Sequence, residues 1–228
     1  MCCTASRSTR RVPTAPLCST STSRSGAHRS SSHKGGPAVA ARSLRSLTGA
    51  PSPEPGPGRT NALSPNQIAA LLESTCALIE GEINALGDEG AQWHPAPNEW
   101  CVNECVGHLI EAERRGFAGR IRDMIAGKSL VAWDQEAVAR ERKDCARMSL
   151  SLWMEFMGLR HDSIALVRSL TAADLERSGE HPEVGTLRVK DLLQEWVHHD
   201  RNHTKQILAV VQARVYPDMG NAQKFVGE

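Results

Sequence analysis

The stretch that decides the fold is Leu192-Leu-Gln-Glu-Trp196-Val-His198-His199-Asp-Arg-Asn-His203-Thr-Lys-Gln206-Ile207-Leu-Ala-Val210-Val211. At about 100° per residue, Leu192, Trp196, His199, His203, Ile207 and Val210 fall on one stripe of a long amphipathic helix. Residues four apart stack on one helix face, so His199 and His203 form an H-x-x-x-H pair inside an otherwise apolar stripe. His198 falls about 100° to the side and reads as a flank residue. A single histidine on such a face would be a hydrogen-bonded core residue. Two stacked ones leave two readings open, satisfied core histidines or a grip on one metal ion, and the stacking favours the metal.

Working outward, the chain divides by composition. Residues 1–60 hold nine Lys or Arg against the single acid Glu54, while the remainder carries an excess of acidic residues, so the overall charge of +1 conceals two opposite halves. The first segment is rich in Ser, Thr, Arg, Pro and Gly with almost nothing to bury, which predicts a disordered tail. It lacks the apolar core of a secretory signal, and its composition equally suits an organellar transit peptide, a solvated tail or an upstream start. Pro51 to Gly58 reads as the linker that ends it. All five tryptophans lie beyond residue 90. One well-buried domain is therefore expected over residues 61–216, followed by a short tail over 217–228.

The cysteines, Cys2, Cys3, Cys18, Cys76, Cys101, Cys105 and Cys145, are odd in number and irregular in spacing, which argues for free thiols in a reducing compartment and a cytoplasmic location. No apolar run is long enough to span a bilayer, and the domain has no basic stripe for nucleic acid.

Helical periodicity recurs along the domain. Ser64-Pro65 starts a first helix that stops near Gly87. After a proline-punctuated stretch from Trp93 to Trp100, a second helix runs from about Cys101 to Ala126. Cys101-Val-Asn-Glu104 has capping-box spacing with cysteine in place of serine, and Asn98 is the alternative cap. Residues 127–145 read as a connection with a helical piece over 135–142. A third helix covers about 147–170, with Trp153, Phe156, Arg160, Val167 and Leu170 on one stripe. Residues 174–188 read as a loop, and the fourth helix reaches about Arg214. Four long helices without a strand pattern predict an all-α antiparallel or mixed four-helix bundle.

A helix pair supplies two ligands, and a metal site needs a third. His108 on the second helix is the best candidate, because Cys101, Cys105, Ala112 and Gly119 on its stripe are small and leave room. Three neutral imidazoles with an open position describe a catalytic type of site. Cys105 is the alternative ligand: Cys101, Cys105 and His108 with one more histidine would make a closed zinc site.

Trp100-Cys-Val-Asn-Glu-Cys-Val-Gly-His108-Leu-Ile-Glu-Ala-Glu113, together with His199-Asp-Arg-Asn-His203-Thr-Lys-Gln206-Ile207, resembles the DinB-like (damage-inducible) superfamily of metal-binding four-helix bundles. The resemblance covers about residues 63–214. It implies one divalent ion, with Zn, Ni, Fe and Mn not distinguished, held by His108, His199 and His203 and completed by water. Cys101 stands where that family usually has serine. For some relatives the resemblance implies activation of a low-molecular-weight thiol for transfer or isomerisation.

Glu113, Arg160 and Asp200 each fall on an apolar stripe, where an unpaired charge is expensive. A mutual network resolves all three and can orient a ligating imidazole. No nucleophile of the protein's own and no phosphate-binding glycine loop is evident. The expected function is a metal-dependent transferase that uses a small thiol and a small-molecule substrate. The alternatives are a metal-dependent hydrolase and a non-enzymatic, metal-stabilised stress-response module, with a homodimer left open.

Overall fold

The computed structural model of the chain describes residues 61–226. The expected basic tail and Pro-rich linker, with Cys2, Cys3 and Cys18, lie outside the described residues. Helix α1 spans Pro65–Ala91, and Ser64 and Gln67 cap it reciprocally, with Pro65 in the first turn. The regular helix breaks at Gly87, near its expected stop: Gly87 adopts φ 61°, a conformation that costs glycine little, and a helical turn then continues as far as Ala91, with Gly90 and Ala91 buried.

The second expected helix is interrupted. Helix α2 covers Val102–Glu111, a π-helical turn covers Ala112–Gly116, and α3 covers Ala118–Ile125. The wider turn is closed by the Phe117 N–H donating to the Ala112 carbonyl at 2.8 Å. Gly119 makes it feasible, since a Cβ there would collide with the carbonyl oxygen of Arg114. Gly119 thus serves backbone approach, not the clearance beside His108 that its spacing suggested. Cys101 is the N-cap of α2, and its N–H donates to the Glu104 carboxylate at 2.9 Å. Asn98 lies in the preceding turn at φ 68°.

Helix α4, Gln135–Arg142, matches the expected helical piece, and α5 spans Ser149–Ser169. The expected loop at 174–188 is more ordered than its sequence suggested. It follows a short helix α6, Ala172–Leu175, and contains an antiparallel hairpin of β1, Ser178–His181, and β2, Gly185–Arg188. Strands of four mostly exposed residues carry too little alternation to be read in advance. Helix α7, Val189–Val215, closes the domain and is followed by 3-10 turns over Tyr216–Phe225. Among the described residues no helix is long and apolar enough to cross a membrane.

The four long elements form a bundle in which α1 packs on α5 and α7, and α2 packs on the same two. Successive helices α1 and α2 therefore face each other across the bundle. The core has two apolar ends. One holds Ile68, Leu72, Phe117, Ile121, Val167, Leu192 and Trp196, and the other holds Ile79, Val106, Leu109, Leu152, Phe156, Ile207 and Val210. Between them, in position along every helix, lies a buried polar layer that includes Thr75, Glu113, Arg160, Ser163, Asp200 and Thr204.

Arg160 is the centre of that layer and only 1% exposed. Its guanidinium donates to both oxygens of Asp200, at 2.5 and 3.1 Å, and lies 2.6 Å from Oε1 of Glu113. The Trp196 indole N–H donates to the same Glu113 oxygen at 3.3 Å. The cation also sits 4.8 Å from the Phe156 ring centre and 5.7 Å from that of Trp196. Burial alone would lift the Asp200 carboxyl, but Arg160 holds it down to about 2. Burial pushes Glu113 up, against Arg160 and with the repulsion of Asp200.

A second, largely buried network pins the connection between α3 and α5. Arg142 bridges Glu111, Asp144 and Glu155, and Arg147 joins Asp144 and Glu155. The Asp144 carboxylate packs against the backbone at Gly107, where a Cβ would overlap it.

Removing Arg160 strands one or two buried carboxylates, so Arg160→Met should lower unfolding free energy in denaturant melts by roughly 3–5 kcal/mol. Adding Glu113→Gln and Asp200→Asn to Arg160→Met should recover part of that loss, because no unpaired charge remains.

Candidate metal centre

The polar layer opens towards α2 on one side, and there the three histidines meet. His108 projects from the last turn of α2, and His199 and His203 project one turn apart from α7. One nitrogen from each of the three lies within 4.8 Å of the others. His108 Nε2 and His199 Nε2 face each other at 3.0 Å. The ring centres of His203 lie 4.4 Å from those of His108 and 4.5 Å from those of His199. His198, on the flank, is exposed.

The protonation pattern follows from the partners. His203 Nδ1 donates to Gln206 Oε1 at 3.0 Å, which leaves its Nε2 as a lone-pair donor. Burial, reinforced by the neighbouring imidazoles, lowers His108 to about 2. Burial, with repulsion from His199, lowers His203 to about 4 against the opposing effects of Gln206 and Asp200. Both rings are therefore neutral near pH 7, the form that binds metals. His199 Nδ1 lies 4.0 Å from Asp200 Oδ1 and makes no hydrogen bond. These observations fit a divalent ion: two facing Nε2 atoms share at most one proton between them, and the neutral rings of His108 and His203 converge with His199 on one point.

Aromatic rings wall the cluster. Trp100 lies 5.3 Å from His108 and stacks on His203 at 6.3 Å, Trp133 stacks on His108 at 6.2 Å, and Phe117 meets His199 edge-on at 5.0 Å. Arg115 covers Trp133 from outside, 5.9 Å from its ring centre. His199 remains about one-fifth exposed, so the cluster is not sealed.

Glu113, Arg160 and Asp200 do form one network, in which Asp200 is the member adjacent to a histidine. Cys105 stands apart from the three imidazoles. It is fully buried in the apolar end with Leu109 and Phe156, and burial pushes its thiol up. Four residues of the site were missed from sequence. Gln206 carried a readable signal, a polar side chain three residues after His203 on the same helix. Trp100, Phe117 and Trp133 carried no signal for their role as walls, because the faces they present are set by tertiary packing.

The sequence model of the DinB superfamily matches residues 71–207. No curated protein matches the chain. Among solved structures, the fold is similar to that of YfiT from Bacillus subtilis, described as a probable metal-dependent hydrolase with an unusual four-helix bundle topology. The TM-score is 0.61 at 17% identity, over 71% of this chain and 93% of that one. With the matched segment reaching from α1 into α7 and taking in all three histidines, the chain belongs to the DinB superfamily.

Proposed function

We propose that His108, His199 and His203 hold one divalent ion, and that the site uses it to transfer a low-molecular-weight thiol onto an electrophilic carbon of a small molecule. The observation that carries the metal reading is the facing of His108 Nε2 and His199 Nε2 at 3.0 Å beside a His203 whose Nδ1 is already engaged by Gln206. When bound, such an ion favours the deprotonated form of a thiol or water and so supplies a nucleophile near neutral pH. The chain's own residues do the rest. Gln206 fixes the His203 tautomer, and Asp200, anchored by Arg160, stands behind His199. Trp100, Trp133 and Phe117 exclude bulk water from the rings, which strengthens electrostatic interactions inside.

In the transfer, the thiol loses its proton, sulfur forms a bond to carbon, and the electron pair leaves with the displaced group or takes a proton at the neighbouring atom. Cys105 does not serve in that step, since it is buried and burial pushes its thiol up. The second reading is hydrolysis, with water in place of the thiol. The description of YfiT favours it.

Three outcomes test these readings. His108→Ala, His199→Ala and His203→Ala should each remove most of the metal bound at this site, measured by elemental analysis, whereas His198→Ala should leave it in place. If His198→Ala alone empties the site, the register of α7 is wrong. Gln206→Ala should weaken metal affinity by about 10–100-fold in competition titrations, with the ligands still present. On the cobalt-loaded protein, one of a panel of cellular thiols should perturb the absorption spectrum and give a conjugate with an electrophile, and Cys105→Ser should not change this. If no thiol perturbs the spectrum while an ester or amide substrate is cleaved, the hydrolase reading replaces the transferase.

A further inference from the structure

His94, Cys101, Glu104 and Cys145 converge beside the N-terminus of α2, and each offers one ligand atom within 4.8 Å of the other three. None of them belongs to the histidine cluster. They come from three separate pieces of chain: the turn after α1, the first turn of α2, and the 3-10 turn Asp144–Ala146 before α5.

Their hydrogen bonds set them up as donors of lone pairs. His94 Nδ1 lies 2.7 Å from the Glu99 carbonyl oxygen, so it carries the proton and Nε2 is free. That Nε2 points at Cys145 Sγ, 3.2 Å away. An imidazole whose far nitrogen is tied to a backbone carbonyl is the usual arrangement for a metal-ligating histidine. Glu104 Oε2 accepts from the Cys101 N–H at 2.9 Å and lies 3.7 Å from His94 Nδ1, which places its carboxylate beside the imidazole. Cys101 is buried at the N-terminus of α2, where burial pushes its thiol up, so its proton would leave only as an ion binds. Hydrogen bonds already engage His94 with the Glu99 carbonyl, Glu104 with the Cys101 N–H and the Cys145 thiol with the Gln92 carbonyl at 3.3 Å, and they bring two sulfurs, an imidazole and a carboxylate within reach of one ion.

We propose that these four side chains form a second metal site, a closed tetrahedral centre of two thiolates, one imidazole and one carboxylate for a thiophilic divalent ion such as zinc. Zinc–sulfur bonds of about 2.3 Å put tetrahedral corners roughly 3.8 Å apart, so the observed group needs only a small contraction. Each thiol gives up its proton to solvent as the ion enters. Four protein ligands leave no open position, so the centre is structural. It staples the segment 93–100 to α2 and to the turn at Cys145. That segment ends in Trp100, the ring stacked on His203, so the second centre holds one wall of the first.

The test uses the full chain with Cys2→Ser, Cys3→Ser and Cys18→Ser, which removes sulfur outside the described residues, and with His203→Ala to disable the histidine cluster. Cobalt is titrated under reducing, oxygen-free conditions. The expected result is one cobalt per chain with sulfur-to-cobalt charge-transfer absorption. Cys145→Ser or His94→Gln should weaken binding at least tenfold, while Cys105→Ser and Cys76→Ser leave it unchanged. Cys145 and His94 are partly exposed, so these variants should fold even if Cys101→Ser does not. Absence of the sulfur band in folded protein, or its persistence in Cys145→Ser, would overturn the proposal. Because His203→Ala is present throughout, neither result bears on the histidine cluster.

Discussion

The buried ion pair of Arg160 with Asp200 is the constraint on which the rest of the domain depends. A guanidinium 1% exposed is tolerable only with its charge answered on the spot. Here the answer comes from α7 through Asp200 and from the π-helical turn after α2 through Glu113. Those contacts join three elements at the one level where the core is not apolar. They also separate the two hydrophobic ends, with Leu192 and Trp196 on one side and Ile207 and Val210 on the other. Asp200 follows His199 directly, so fixing Asp200 also fixes the stretch of α7 that presents both histidines of the pair.

The π-helical turn belongs to the same design. A regular helix through Ala112–Gly116 would rotate everything beyond it relative to α2. The extra residue lets His108 before the turn, Glu113 within it and Phe117 after it all face the bundle interior. Its cost is the close approach of the Arg114 carbonyl, which glycine at position 119 accommodates. A local irregularity thus brings a histidine, a carboxylate and an aromatic wall to one level of the bundle.

Much of this was legible in the sequence because it rests on helical periodicity, which survives without knowledge of the partners. The stripe from Leu192 to Val210 gave α7 and the inward facing of His199 and His203. Charges on apolar stripes pointed to the mutual pairing of Glu113, Arg160 and Asp200, since buried charge must find a partner. The break at Gly87 was legible as a helix stop, but the π turn and the hairpin at 178–188 were not. Each depends on one glycine or on four-residue strands, signals too short to outweigh the periodicity around them. Trp133 sits in a connection whose path is set by Arg142, Asp144 and Arg147, and nothing local announces that it will reach His108. Cys101 was read as a weak substitute for a capping serine, and only the fold shows Cys145 and His94 beside it.

The central claim is that His108, His199 and His203 bind one divalent ion. Anomalous diffraction from crystals grown with zinc or cobalt tests it most directly. The account predicts a peak between the three rings, at about 2.0–2.1 Å from an imidazole nitrogen of each. Crystals at saturating metal that show no density there, with His108 Nε2 and His199 Nε2 still joined only by a hydrogen bond, would contradict it.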